Sequence, residues 1–133
     1  MQSKAVLSQT EVSNILSAAR IEAQKNHWAV AISIVDDGGH PLALERLDGC
    51  APISAYIATE KARSSALGHR ETKGYEDMVN GGRSAFLSVP MLTSLEGGVP
   101  LIVGDQVVGA VGVSGVKADQ DAQVAKAGSA ALA

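Results

Sequence analysis

A carboxylate directly ahead of two glycines, Glu96-Gly97-Gly98, is the pattern in this chain most suited to acid/base chemistry. Glycines leave the space beside a neighbouring side chain open to a ligand, and Pro100 fixes the exit of the turn. A carboxyl whose pKa was raised by burial could take a proton from carbon next to a carbonyl group. In the competing reading, Glu96 accepts hydrogen bonds from the backbone of its own glycine turn. A second pattern, Gly81-Gly82-Arg83-Ser84, sets backbone N–H groups at a helix start beside a guanidinium, a geometry suited to a small planar acid. Arg83 would be the clamp, unless Asn80 and Gly81 merely cap the preceding helix in left-handed conformations and leave Arg83 on the surface. Arg63 offers a second cation, or pairs with Glu60 three residues earlier on the same helix. The candidate site is therefore Glu96 as acid/base, with Arg83, Gly97, Gly98 and Arg63 as ligand-binding residues.

Other chemistries find little support. His27, His40 and His69 are the only imidazoles, and no H-x-x-x-H, H-E-x-x-H or clustered cysteine accompanies them, so no metal site is read. Cys50 is alone, which excludes an internal disulfide and leaves a reduced thiol. No nucleophile elbow or P-loop is present, and Gly109-x-x-Gly112-x-x-Gly115 runs along a strand instead of into a phosphate-binding turn. A net charge of -3 with 3% aromatic residues offers neither a basic stripe nor a stacking platform, so no nucleic acid partner is expected. No apolar run approaches the roughly 18 residues of a membrane span, and the first residues lack a signal-like apolar stretch; a cytoplasmic protein without membrane contact is expected.

These residues must be positioned by a core of small aliphatic side chains. The 133 residues, 46% hydrophobic, predict a single domain over residues 1–133. Ser8 and Glu11 form a capping-box signature, and Val12, Ile15, Leu16, Ala19 and Ala23 continue at helical spacing, predicting a helix over residues 8–25. Residues 29–35 are apolar or small on both faces and predict a central strand, returning across Asp37-Gly38 into a second strand over 41–47. Pro52 opens a helix over 53–68 whose narrow alanine stripe (Ala55, Ala58, Ala62, Ala66) should lie flat on the sheet. A short helix from Thr72 to Met78, a hairpin of residues 99–103 and 107–114 turning at Gly104-Asp105, and an alanine-rich last helix complete the chain. The order predicts an α+β domain: one antiparallel sheet with helices on both faces, brought to about five strands by a short strand over 91–94.

Several stretches carry a resemblance that patterning alone does not supply. They are Val35-Asp36-Asp37-Gly38-Gly39-His40-Pro41-Leu42, Leu47-Asp48-Gly49, Lys61-Ala62-Arg63, Asn80-Gly81-Gly82-Arg83, Leu95-Glu96-Gly97-Gly98-Val99-Pro100 and residues 108–115, with Asp121 and Ala127-Gly128. From the first helix to the last, the chain resembles the GlcG/HbpS-like family. The resemblance implies a profilin-like sheet, assembly into homo-oligomers, and binding of haem or a related tetrapyrrole as an accessory protein. The same family includes proposed haem-degrading members and a domain fused to cobalamin adenosyltransferases. In some haem-binding relatives the histidine linked to binding lies inside the first helix. Here that helix has none, and His27, just beyond its end, is the candidate axial donor. With so few aromatics, haem is expected at a subunit interface. Three readings stand side by side: a haem or tetrapyrrole binder, a small-carboxylate protein or enzyme using Glu96 and Arg83, and a non-catalytic assembly module anchored by Trp28 and Phe86 where these are exposed.

Overall fold

The structure is a computed structural model and describes residues 1–132. Helix α1 (Gln9–Lys25) starts at Ser8, whose hydroxyl accepts from the Glu11 N–H while the Glu11 carboxylate accepts from the Ser8 N–H. It buries Val12, Ile15, Ala19 and Ala23, the apolar positions of the predicted stripe. Strands β1 (Ala31–Asp36) and β2 (Pro41–Arg46) follow, then helices α2 (Ile53–Gly68) and α3 (Lys73–Asn80). A 3-10 turn (Ser84–Ser88) leads to strands β3 (Gly98–Val103) and β4 (Gln106–Ser114), and α4 (Ala118–Ala130) ends the elements.

The strands form one antiparallel sheet in the order β2-β1-β4-β3. Because side chains alternate across a strand, Ile32 and Ile34 of β1 join Val111 and Val113 of β4 in the core beneath α1 and α4. Val35 and Ala110 point the other way and pack with Ala62 and Ala66 of α2. Both central strands are thus covered on both faces. The alanine stripe lies flat on the sheet because β4 has no side chain at Gly112, where a Cβ would run into the Ala58 carbonyl oxygen of α2.

Four strands, not five, make the sheet. Residues 91–94 form no strand; the Thr93 N–H donates to Ser64 Oγ of α2 at 2.7 Å, so the backbone bonds a helix side chain in place of a ladder. In the first hairpin the positive φ falls on Gly39 (+80°) instead of Gly38, because the Asp36 carboxylate accepts from both the Gly38 and His40 N–H groups at 2.9 Å and lengthens the turn. After α3, Asn80 is still helical and Gly81 has φ of -79°; the left-handed position is Gly82 at +107°. At the end of α2 it is His69, φ +57°, that takes the left-handed cap. Gly68 answers a different demand: a Cβ there would strike the Tyr75 hydroxyl. No helix among the described residues is long and apolar enough to cross a membrane.

Candidate functional site

The glycine pair after Glu96 is buried, and the space it leaves is filled by protein. A Cβ on Gly97, whose φ is +129°, would lie 2.8 Å from both Lys61 Nζ and the Val113 carbonyl oxygen. A Cβ on Gly98 would meet the Lys61 carbonyl of α2 and stand 2.8 Å from Thr72 Cγ2. Backbone bonds lock the joint: Gly98 N–H donates to Thr72 Oγ1 at 2.8 Å, Thr72 N–H to the Gly98 carbonyl at 3.0 Å, and Val113 N–H to the Gly97 carbonyl at 3.0 Å. Gly97 and Gly98 therefore admit α2 to the sheet edge; the open turn expected beside Glu96 is not formed. Glu96 itself is half-buried, and its N–H donates to Glu76 Oε1 at 3.4 Å.

What the glycines make room for is a buried ion pair. Lys61 of α2 donates from Nζ to the Val113 carbonyl at 2.9 Å and to Asp121 Oδ2 of α4 at 3.0 Å. Asp121 Oδ1 accepts from the Val116 N–H at 3.1 Å, and both side chains belong to residues only 3% exposed. Burial raises the Asp121 carboxyl above its ordinary range, against the opposing pull of the Lys61 charge and the Val116 N–H. Asp121 sits in the first turn of α4, a placement that helix patterning alone explains, so its partner is not read from the sequence. A signal existed, since Ser54, Ala58, Lys61 and Ser65 share helical spacing and a lysine on that buried face needs a partner.

The two arginine candidates have different surroundings. Arg83 is exposed, with its guanidinium 4.8 Å over the Phe86 ring and its N–H donating to the Met78 carbonyl at 2.9 Å. Arg63 pairs with Glu60 at 2.5 Å across one turn of α2, and its Cγ packs under Gly39. Among the described residues no ion pair joins either arginine to Glu96.

His27 stands elsewhere, where the end of α1 meets the start of β1 and the end of β2. It holds a left-handed φ of +59°, its N–H donating to the Gln24 carbonyl at 3.1 Å. With Trp28, Leu47, Arg20, Glu45 and Arg46 it lines an open cleft of about 510 Å³. Arg20 is engaged by Glu45 through two contacts of 2.5 and 3.1 Å, whereas Arg46 is exposed and has no acidic partner among the described residues. The histidines differ in what surrounds them. His40 Nδ1 lies 3.0 Å from the Asp36 carboxylate, and His69 faces a polar recess lined by Ser3, Lys4, Asp37 and Asp105. Among the described residues, the His27 cleft is where an imidazole, an indole and an unpaired guanidinium converge, beside the Glu45 and Asp48 carboxylates. This donor set fits a haem: one nitrogen ligand for iron, an apolar wall for the macrocycle, and a cation for a propionate. Among the described residues no group of three or more His, Cys, Asp and Glu side chains gathers that could hold a metal ion.

Comparison with known proteins shows the family. Residues 7–130 match the family described as haem degrading protein, HbpS-like. The chain is 63% identical to the protein GlcG of Escherichia coli (strain K12) over 114 residues, which is 86% of this chain and 85% of that protein. A solved structure of a double mutant of HbpS from Streptomyces reticuli superposes with a TM-score of 0.91 at 27% identity, covering 100% of this chain and 91% of that one. A solved complex of PduOC with haem gives a TM-score of 0.86 at 26% identity, covering 96% and 95%.

Proposed function

This chain belongs to the haem degrading HbpS-like family, and from that premise we propose that it binds haem or a related tetrapyrrole in the cleft at the end of α1, with His27 as axial donor. The observation that carries the reading is the meeting of His27, Trp28 and unpaired Arg46 in one cleft. The left-handed backbone at His27 follows the Asn26 cap of α1 and turns the chain towards β1, leaving His27 exposed at the cleft. Trp28 supplies a flat apolar wall, Arg46 the charge for a propionate, and the Arg20–Glu45 pair braces α1 against β2 behind them. When bound, haem would supply an iron centre for ligand exchange or electron transfer. The haem complex of PduOC, which shares the fold, supports the same class of ligand.

Hemin titration tests this directly. A Soret band saturating near one equivalent per binding site is expected, and His27→Ala should weaken binding at least tenfold and move the band. No Soret band with the parent chain would sink the haem reading, and an unchanged band and affinity in His27→Ala would remove His27 as the ligand.

The cleft is open, so the second face of the macrocycle calls for another copy of the chain. On the other, α2-covered face of the sheet, exposed Leu44 of β2 and Tyr56 of α2 line one groove and offer a further copy an apolar surface. Light scattering on the eluting protein should return a mass of at least two chains. A strict monomer at working concentration would count against both assembly and a haem shared between subunits.

A further inference from the structure

A second cleft, of about 310 Å³, opens between the last turn of α2, helix α3, the 3-10 turn and residues 89–92. That volume is at the lower end of small-molecule sites, about 300–1,000 Å³. Leu67, Tyr75, Phe86, Val89, Met91 and Leu92 line it. Leu67, Val89 and Met91 are 46%, 43% and 61% exposed, so the apolar wall is accessible. Three features mark it as a built site. Tyr75 is seated by Gly68, whose missing side chain leaves room for its hydroxyl, and that hydroxyl has no hydrogen-bond partner among the described residues. Met91 holds φ of +63°, a conformation that L residues avoid unless their surroundings impose it. The Tyr75 and Phe86 rings contact each other at 6.0 Å, and each carries a guanidinium at 4.8 Å, Arg70 on Tyr75 and Arg83 on Phe86.

The two arginines differ in what surrounds them. Arg70 lies close over Gly74, where a Cβ would stand 2.6 Å from its Nη2, and it lines a separate recess with Glu71 and Lys126. Both are exposed and neither has an ion-pair partner among the described residues, but the recess of Arg70 also holds the Glu71 and Asp77 carboxylates, whereas Arg83 stands over the Phe86 ring that lines this cleft. We propose that this cleft binds a small monocarboxylate with an aromatic or short alkyl body, its apolar part against Phe86, Val89 and Met91 and its carboxylate on Arg83 and the Tyr75 hydroxyl. Arg83 stands at the rim, its guanidinium 4.8 Å over the Phe86 ring that lines the cleft, so an apolar wall with an unpartnered hydroxyl has a cation at its edge and complements an amphipathic acid. A neutral apolar surface would leave both polar groups unmatched. The site is separate from the His27 cleft, shares no lining residue with it, and stands or falls independently of haem binding.

Calorimetric titration with 3-phenylpropionate, hexanoate and the neutral 3-phenylpropanamide provides the test. Both acids should bind, and the amide at least tenfold more weakly than its acid. Arg83→Ala should cost the acids at least tenfold while leaving the amide unchanged, Arg83→Lys should restore part of the loss, and Tyr75→Phe should weaken the acids severalfold. Backbone amide shifts should cluster at residues 64–68, 75 and 86–92. Equal affinity for acid and amide, acid binding indifferent to Arg83→Ala, or no binding of either acid would each overturn the proposal. If neither acid binds and Met91→Glu lowers the mass of the assembly, the cleft is an interface between copies, and the proposal fails on that ground.

Discussion

Lys61→Met should unfold with about 3–5 kcal/mol less stability than the parent chain, the cost of stranding one member of a buried pair. The Asp121 carboxylate would keep the Val116 N–H at 3.1 Å but lose the ammonium at 3.0 Å, in a site where it is 3% exposed. The variant carries its own pH signature. Burial already raises the Asp121 carboxyl above its ordinary range, and Lys61 opposes that rise. Without Lys61 the folded-state pKa climbs further, so the folded chain binds the proton more tightly than the unfolded chain does. The variant is therefore least handicapped in acid and loses stability as pH rises from the unfolded-state value, about 3.9, through the raised folded-state value. Urea unfolding across pH checks this: the gap between parent and variant should widen from acid to neutral pH. A gap that is constant with pH, or below about 1 kcal/mol, would show that Asp121 is not held by Lys61. Replacing both partners, as in Lys61→Met with Asp121→Leu, should recover most of the loss, since an apolar pair leaves no charge unmatched.

The second large effect belongs to a position with no side chain. Gly112→Ala should cost about 3 kcal/mol, the upper end for overpacking a core. Its Cβ would run into the Ala58 carbonyl and lie 2.9 Å from the Ala62 Cβ, and these atoms belong to the rigid face of α2. Relief requires lifting the helix from β1, β3 and β4 together, since it packs on all three. Gly38→Ala supplies the contrast. The added Cβ there would meet the His40 ring at 2.6 Å, but that ring is exposed and can swing aside, so a loss within about 0.5 kcal/mol is expected. Paired denaturation curves with unchanged slopes would establish the difference. A Gly112→Ala curve overlying the parent curve would mean that α2 rides looser on the sheet than its contacts indicate.

These two positions show where local sequence runs out. The capping box at Ser8 and Glu11 and the limits of α2 were legible because each signal lies within a few neighbouring residues. So were the two-faced burial of β1 and the flat alanine stripe, which follow from side-chain period alone. The supposed fifth strand failed because the Thr93 N–H found Ser64, 29 residues earlier, as its acceptor. The turn at Gly39 differs from the expected one because a single Asp36 carboxylate gathers two N–H groups.

The candidate site divides in the same way. Glu96-Gly97-Gly98 stood out by composition, and glycine was required there, but the reason lay 60 residues apart in the Lys61–Asp121 pair and in α2 pressing on the sheet edge. His27 could be singled out as an imidazole at a helix end; that it meets Trp28 and Arg46 in one cleft depended on β2 returning beside α1. The kinds of element, most of their limits, and the family to which the chain belongs are written in the residues, since caps, periodicity and motif order are properties of short stretches. Packing settles which charges meet, which glycines are filled by neighbours, and which arginines are left unpaired. Such contacts join residues distant along the chain, and their geometry is set by how helices and strands pack.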